Sequence, residues 1–180
     1  MLLTARDQRW TGKTLAQMAE VWAISPIDAA VRIIHAGLDK GGSGGDVASF
    51  NMAESDVELL MQQPWVVTSS DGSNGHPRMF ATYPEKYRKY VREKHTIDLG
   101  RFVRQSTGQV ADIYKIDRRG YLKAGNYADV LVFDPEEFAP RADYLKPREL
   151  SVGVKALFVN GTLAVEESSA TGATAGKVLL

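Results

Sequence analysis

The stretch Ser69-Ser-Asp-Gly-Ser-Asn-Gly-His-Pro-Arg78 places a carboxylate, an imidazole and a guanidinium within eight residues, directly after the apolar run of Trp65 to Thr68. An ionised Asp71 could ligate a divalent metal, and it could also take a proton from a water whose pKa a metal has lowered. A plain Asp-Gly turn with a solvated carboxylate accounts for Asp71 equally well at this level. His76 could ligate a metal or polarise a carbonyl. Arg78 offers the planar fork that holds a carboxylate through paired hydrogen bonds, which a lysine point charge does not reproduce. An ordinary surface loop would also carry these two residues. His35 falls within an amphipathic helical pattern and reads as structural, and His95 reads as a cation at a helix end. Three histidines without a His-x-His pair are too few for a complete zinc site in this chain alone.

The elements that must position these groups follow from the pattern around them. Thr14 is placed to cap a helix over Leu15 to Ala23. Ser25-Pro26 opens a second helix with Ile27, Val31, Ile34 and Leu38 along one face. The glycine-dense Asp39 to Asp46 reads as a surface loop. Val47 to Phe50 and Trp65 to Ser69 read as short adjacent parallel strands, joined by a helix capped by Ser55, because a helix-length crossover separates two apolar runs. In a parallel sheet or barrel, a residue such as Asp71 at the C-terminal end of a strand points into the cleft formed by the following loops. Further helices are predicted from Pro84 through His95, after a cap at Asp98, and over Gln109 to Ile116.

From Arg118 onward the pattern changes to turns and strands. Ala128 to Asp134 is the strongest strand signal, and Asn160-Gly161 between two apolar runs reads as a type I′ hairpin turn rather than a glycosylation site. Gly172 to Lys177 resembles a phosphate-binding loop only superficially: its glycine spacing is one residue short, no hydroxyl residue follows Lys177, and no helix is predicted after it.

Composition bounds the partners. The 180 residues carry 22 basic and 22 acidic side chains, so no net field attracts nucleic acid or an anionic membrane. There are no cysteines, which excludes disulfides and thiolate metal sites and fits a cytoplasmic location. No apolar run has the length of a membrane span.

Taken in order, "SSDGSNGHPR", "YPEKYRKYVREKHTIDL", "RRGYLKAGNYADVLVFDPEEF" and "VKALFVNGTLAVEE" with "TGATAGKVL" resemble the C-terminal part of N-acyl-D-amino-acid deacylases. These form the D-aminoacylase branch of the amidohydrolase superfamily. The likeness reaches back through "TGKTLAQMAEVWAISPIDAAVRII" and "MAESDVELLMQQPWVV", and so covers nearly the whole chain. It implies an α/β fold: the last βα units of a (β/α)8 TIM-like barrel over residues 1–117, and strands of a flanking small β-domain over 118–180. It implies hydrolysis of an N-acyl-D-amino acid to a D-amino acid and a carboxylate, with zinc as cofactor. Asp71 would be both the general base and a metal-site carboxylate, while Arg78 would hold the substrate's α-carboxylate and His76 would belong to the same substrate-binding element.

Where the family tends to have glycine and arginine, this chain has Ala81 and Glu85, which implies a different loop path and substrate preference. The upstream histidine ligands that the family implies have no counterpart here. The resemblance therefore implies a truncated enzyme that is inactive alone, retains no zinc, and exposes apolar surface that a full barrel would cover. The alternative is a non-catalytic remnant or interaction module that keeps part of the fold.

Overall fold

The structure, a computed structural model, describes residues 1–3, 5, 7–38, 45, 47–72 and 75–179. Apart from Gly45, the glycine-dense loop expected at Asp39 to Asp46 lies outside them, as do Ser73 and Asn74. The chain is α/β and divides by its internal contacts into two compact units, Met1–Asn51 and Met52–Leu180. That division rests on other grounds than the boundary expected at residue 117.

In the first unit a 3-10 turn (Gln8–Trp10) leads to helices α1 (Leu15–Trp22) and α2 (Pro26–Leu38). Thr14 caps α1 as expected: its hydroxyl accepts from the Gln17 amide at 3.2 Å, and the Gln17 side chain returns a bond to the Thr14 amide at 2.8 Å. Ser25 caps α2 through the Asp28 amide at 3.1 Å. The two helices bend by 95° about Ala23, which adopts a left-handed conformation, φ 52°. Leu2, Met18 and Ile33 form the core, closed by Trp10 and Trp22, whose rings meet edge to face at 5.1 Å.

The buried side of α2 differs from the expected one. Ala29, Ile33 and Gly37 face inward, while Ile27, Val31, Ile34 and Leu38 are exposed. Ala29 and Gly37 carry almost no side-chain bulk, so the helix can approach its neighbours closely on that stripe. No single helix among the described residues is long and apolar enough to cross a membrane.

Neither expected parallel strand forms. Val47 makes one antiparallel bridge, to Leu2, and Ala48 donates to the Met1 carbonyl at 2.8 Å and accepts from the Met1 amino group at 2.9 Å, but residues 47–50 form no strand. Residues 66–70 have no strand partner: the Val66 amide donates to the Gln63 carbonyl at 3.3 Å and the Thr68 amide to the Gln105 carbonyl at 3.1 Å. A parallel strand requires a neighbour to complete its ladder. No parallel pair exists among the described residues, so composition alone could not make these runs strands.

The second unit opens with α3 (Glu54–Met61), which starts one residue before the expected Ser55 cap. Ser55 lies inside the helix. The acidic first turn suits the helix dipole, and Glu54 is held by Lys89 and Lys94, each at 2.8 Å. Helix α4 (Arg78–Lys86) also begins earlier than expected, so Pro84 sits within it rather than opening it. Proline has no N–H for the carbonyl four residues back, that of Phe80. The Ser151 hydroxyl supplies the missing donor at 3.1 Å, which makes the interior proline tolerable. The helix then widens into a π-helical segment, Tyr87–Glu93, followed by α5 (Leu99–Ser106), capped by Asp98 as expected, and α6 (Gly108–Tyr114).

The sheet is small and antiparallel, in the order β1 (Val130–Phe133), β2 (Val154–Val159), β3 (Thr162–Glu166), β4 (Ser169–Ala170). Asn160 and Gly161 both have positive φ, 50° and 81°, as the expected type I′ turn requires. At Gly153 a Cβ would come within 2.4 Å of the Phe138 amide nitrogen, so only glycine allows β2 to start against that loop.

Tyr87, Tyr90, Ile97, Phe102 and Phe138 form the core of the unit. Among the described residues one charged residue is buried, Lys86, with 8% of its surface exposed. Its ammonium donates to Thr68 Oγ1 at 2.6 Å and to Gln105 Oε1 at 2.9 Å. Burial disfavours the charged form and lowers its pKa from 10.5 to about 8.

Replacing Ser151 with alanine should lower the unfolding free energy by about 1 kcal/mol, the usual worth of one such bond, read from urea denaturation. A null effect would show that Phe80 is satisfied otherwise. Between pH 8 and 10.5 the unfolded chain still binds the proton that folded Lys86 has released. Stability should therefore rise with pH through that window, and Lys86→Met should flatten this part of the profile. Equal slopes in both proteins would contradict the desolvated lysine.

Candidate functional site

Asp71, His76 and Arg78 lie at the start of α4 in the second unit. Asp71 has φ 44°, a left-handed conformation that aspartate tolerates better than most residues, and its amide donates to Ser69 Oγ at 3.3 Å. It follows a run with no strand partner rather than ending a strand. Its carboxylate is 82% exposed and pairs with Arg78, Oδ2 to Nη1, at 2.9 Å. The Arg78 amide donates to His76 Nδ1 at 3.1 Å. A ring nitrogen that accepts carries no proton, so neutral His76 bears its hydrogen on Nε2. Burial lowers the His76 pKa, the Arg78 charge lowers it further, and Asp71 opposes both. The imidazole meets the Tyr144 ring edge-on at 5.1 Å.

The structure thus brings the three expected residues together. His76 and Arg78 open onto a cavity of about 730 Å³ whose walls are mainly apolar, with Met61, Val66 and Ala81 among them. Thr68, Lys86 and Tyr144 also line it. The sequence reading missed these three. Lys86 stands eight residues after Arg78 and shares its helix face, a spacing visible only once α4 is known to begin at Arg78 and run through Pro84.

The donor set does not fit a zinc site. Among the described residues no three His, Asp or Glu side chains come together as ligands. Asp71 has an arginine as its neighbour, which is no ligand to a cation. His35, in the last turn of α2, and His95, whose Nδ1 lies 2.9 Å from the Val91 carbonyl, are not among the residues lining the cavity. The chain's own chemistry at this place is the Arg78 guanidinium on the wall of a mainly apolar cavity, paired with the solvent-facing Asp71 carboxylate.

No family model matches the chain. Three proteins of Alcaligenes xylosoxydans xylosoxydans are similar to it. A D-aminoacylase is 34% identical over 134 residues, which is 72% of this chain and 28% of that protein. An N-acyl-D-glutamate deacylase is 30% identical over 154 residues, 83% of this chain and 30% of that protein. An N-acyl-D-aspartate deacylase is 33% identical over 128 residues, 69% of this chain and 26% of that protein. Among solved structures, a D-aminoacylase described as defining a novel subset of amidohydrolases superposes with a TM-score of 0.77 at 30% identity, over 96% of this chain and 35% of that one. N-acyl-D-glutamate deacylase from Bordetella bronchiseptica, complexed with zinc and a phosphonate inhibitor, superposes with 0.72 at 28% identity, over 93% and 35%. The chain spans about three tenths of the length of the curated relatives it matches. With the sequence alike over 69% to 83% of this chain and the fold over 93% to 96%, the chain belongs to the family of N-acyl-D-amino-acid deacylases, as a counterpart of part of those proteins.

Proposed function

We propose that this chain is the C-terminal section of an N-acyl-D-amino-acid deacylase: residues 1–117 supply the last βα units of a (β/α)8 amidohydrolase barrel, and 118–180 supply part of its flanking β-domain. The observation that carries the reading is the Asp71–Arg78 pair, 2.9 Å apart, with Arg78 on the cavity wall and Asp71 facing solvent beside it. It sets a proton acceptor beside a carboxylate-binding group, and an N-acyl amino acid presents its scissile amide beside its α-carboxylate. Arg78 holds that carboxylate. Asp71 takes a proton from the attacking water as the oxygen bonds to the acyl carbon, and returns it to the amine nitrogen as the carbon–nitrogen bond breaks. His76, with Nδ1 occupied by the Arg78 amide, presents its Nε2–H as a donor.

The relatives' zinc chemistry needs ligands that the described residues do not provide, so turnover belongs to a complete enzyme. An interaction module or remnant is the second reading, favoured by the missing ligand set. The experiment is a deacylation assay with added zinc, on the 180-residue chain alone and together with a polypeptide carrying the other two-thirds of a D-aminoacylase. Turnover that needs both, with zinc retained only by the combination, supports the proposal. No turnover and no zinc in either arrangement favours the remnant.

In a reconstituted or full-length active enzyme, Asp71→Asn keeps size but removes the proton acceptor, and kcat should fall by roughly a hundred- to ten-thousand-fold. An active asparagine variant would leave Asp71 as a turn residue. Arg78→Lys keeps the charge but loses the fork, and should mainly raise KM for N-acyl-D-amino acids while barely affecting the corresponding amides, which lack the carboxylate. Equal losses on acids and amides would remove Arg78 from the carboxylate site.

A further inference from the structure

The proposed reaction leaves one cation of the cavity wall unused. A lysine ammonium has three donors, and Lys86 gives two of them to the neutral oxygens of Thr68 and Gln105. Among the described residues no carboxylate pairs with it. The acidic side chains that line the same cavity are already engaged. Glu85 takes Arg88 in a fork at 2.8 to 3.0 Å. Asp143 accepts from the amides of Leu145 and Lys146 at 2.7 and 2.6 Å. A desolvated ammonium without a counter-charge is costly. With its pKa lowered only to about 8, Lys86 is still largely charged at neutral pH.

We infer that Lys86, with Thr68 beside it, forms a carboxylate subsite in the wall of this cavity, so that the cavity takes a ligand with an acidic group at each end. The inference rests on the proposed role of Arg78 for the first end. Arg78, Ala81, Thr82, Glu85 and Lys86 all line the cavity, which is one face of α4 at helical spacing. Eight residues of α-helix separate the Cα atoms of Arg78 and Lys86 by about 12 Å. The two cations stand at opposite ends of one helix face, so a ligand that engages both carries an acidic group at each end. Met61, Val66 and Ala81 supply apolar wall for its methylene groups. At the other end, the Asp71–Arg78 pair is solvent-facing, so a ligand carboxylate displaces Asp71 at little cost.

The test is calorimetric titration of the 180-residue chain at pH 7 with N-acetyl-D-glutamate, N-acetyl-D-leucine and glutarate, none of which has to be turned over to bind. N-acetyl-D-glutamate should bind at least about tenfold more tightly than the leucine compound, and Lys86→Met should bring the two together. Lys86→Gln keeps a donor without the charge and should do the same, which guards against a folding defect in the methionine variant. In the unsubstituted chain the Lys86 ζ-nitrogen resonance should shift with N-acetyl-D-glutamate and not with N-acetyl-D-leucine. Equal affinities, a preference that survives both substitutions, or no binding at all overturns the subsite. Glutarate binding that weakens in the Lys86 variants but not in Arg78→Lys upholds the subsite while removing Arg78 from the proposed function.

Discussion

The second unit depends on one side chain, Tyr87, at the point where α4 widens into the π-helical segment. Its ring lies 5.5 Å from Phe102 on α5, 5.4 Å from Phe133 on β1 and 5.7 Å from Phe138 in the loop after β1. Its hydroxyl donates to the Pro135 carbonyl at 3.1 Å. Helices and sheet therefore meet on a single ring with three aromatic partners, each such pair worth about 0.5 to 1.5 kcal/mol beyond its buried area. Lys86 immediately precedes Tyr87, and Arg78 is fixed at the other end of the same helix. The anchor that joins the two layers also sets the face that α4 presents to the cavity. Gly153 completes the arrangement by letting β2 begin against the Phe138 backbone.

Burial, rather than the number of partners, sets Lys86 apart from the surface ion pairs of the second unit. Glu54 is held by two lysines that lower its pKa to about 2, yet it is in contact with solvent, and such pairs contribute little to stability. Arg88 grips Glu85 and Glu93 on a similarly open surface. Lys86 has only neutral acceptors and little exposed surface, and burial lowers its pKa. Arg119 shows the purely structural use of a cation: 12% of its side chain is exposed, it pairs with Asp129 and Asn160, and it stacks on Tyr127 at 4.3 Å, holding the hairpin turn.

The same separation bears on the deacylase reading. The pairing of Asp71 with Arg78 is exposed and easily exchanged, which suits groups that must change partners when a substrate arrives. Among the described residues no three His, Asp or Glu side chains come together as metal ligands, so the proposed chemistry is that of a longer protein than this chain. The large apolar side chains left exposed on α2 fit a chain that spans about three tenths of its relatives.

The sequence by itself determined the features whose cause lies within a few residues. Thr14, Ser25 and Asp98 cap helices because the hydroxyl or carboxylate reaches an amide two or three residues on, and Asn160-Gly161 turns because both positions accept positive φ. The family signature, and with it the nearness of Asp71, His76 and Arg78, was legible for the same reason: the three lie within eight residues. Only the tertiary structure decided the rest. The run at Val47 had strand composition but pairs only through Val47 and Ala48 with the first two residues of the chain, and the run at Trp65 has no strand partner among the described residues. Pro84 looked like a helix start because the donor that rescues its interior position, Ser151, is distant in sequence. The buried stripe of α2 was set by close approach at Ala29 and Gly37 rather than by hydrophobicity. Lys86 became a candidate binding group because Thr68 and Gln105, eighteen and nineteen residues away, fold around it and exclude water. Local hydrogen bonds and dihedral preferences are written in short stretches of sequence, whereas desolvation and strand pairing exist only between segments that the fold brings together.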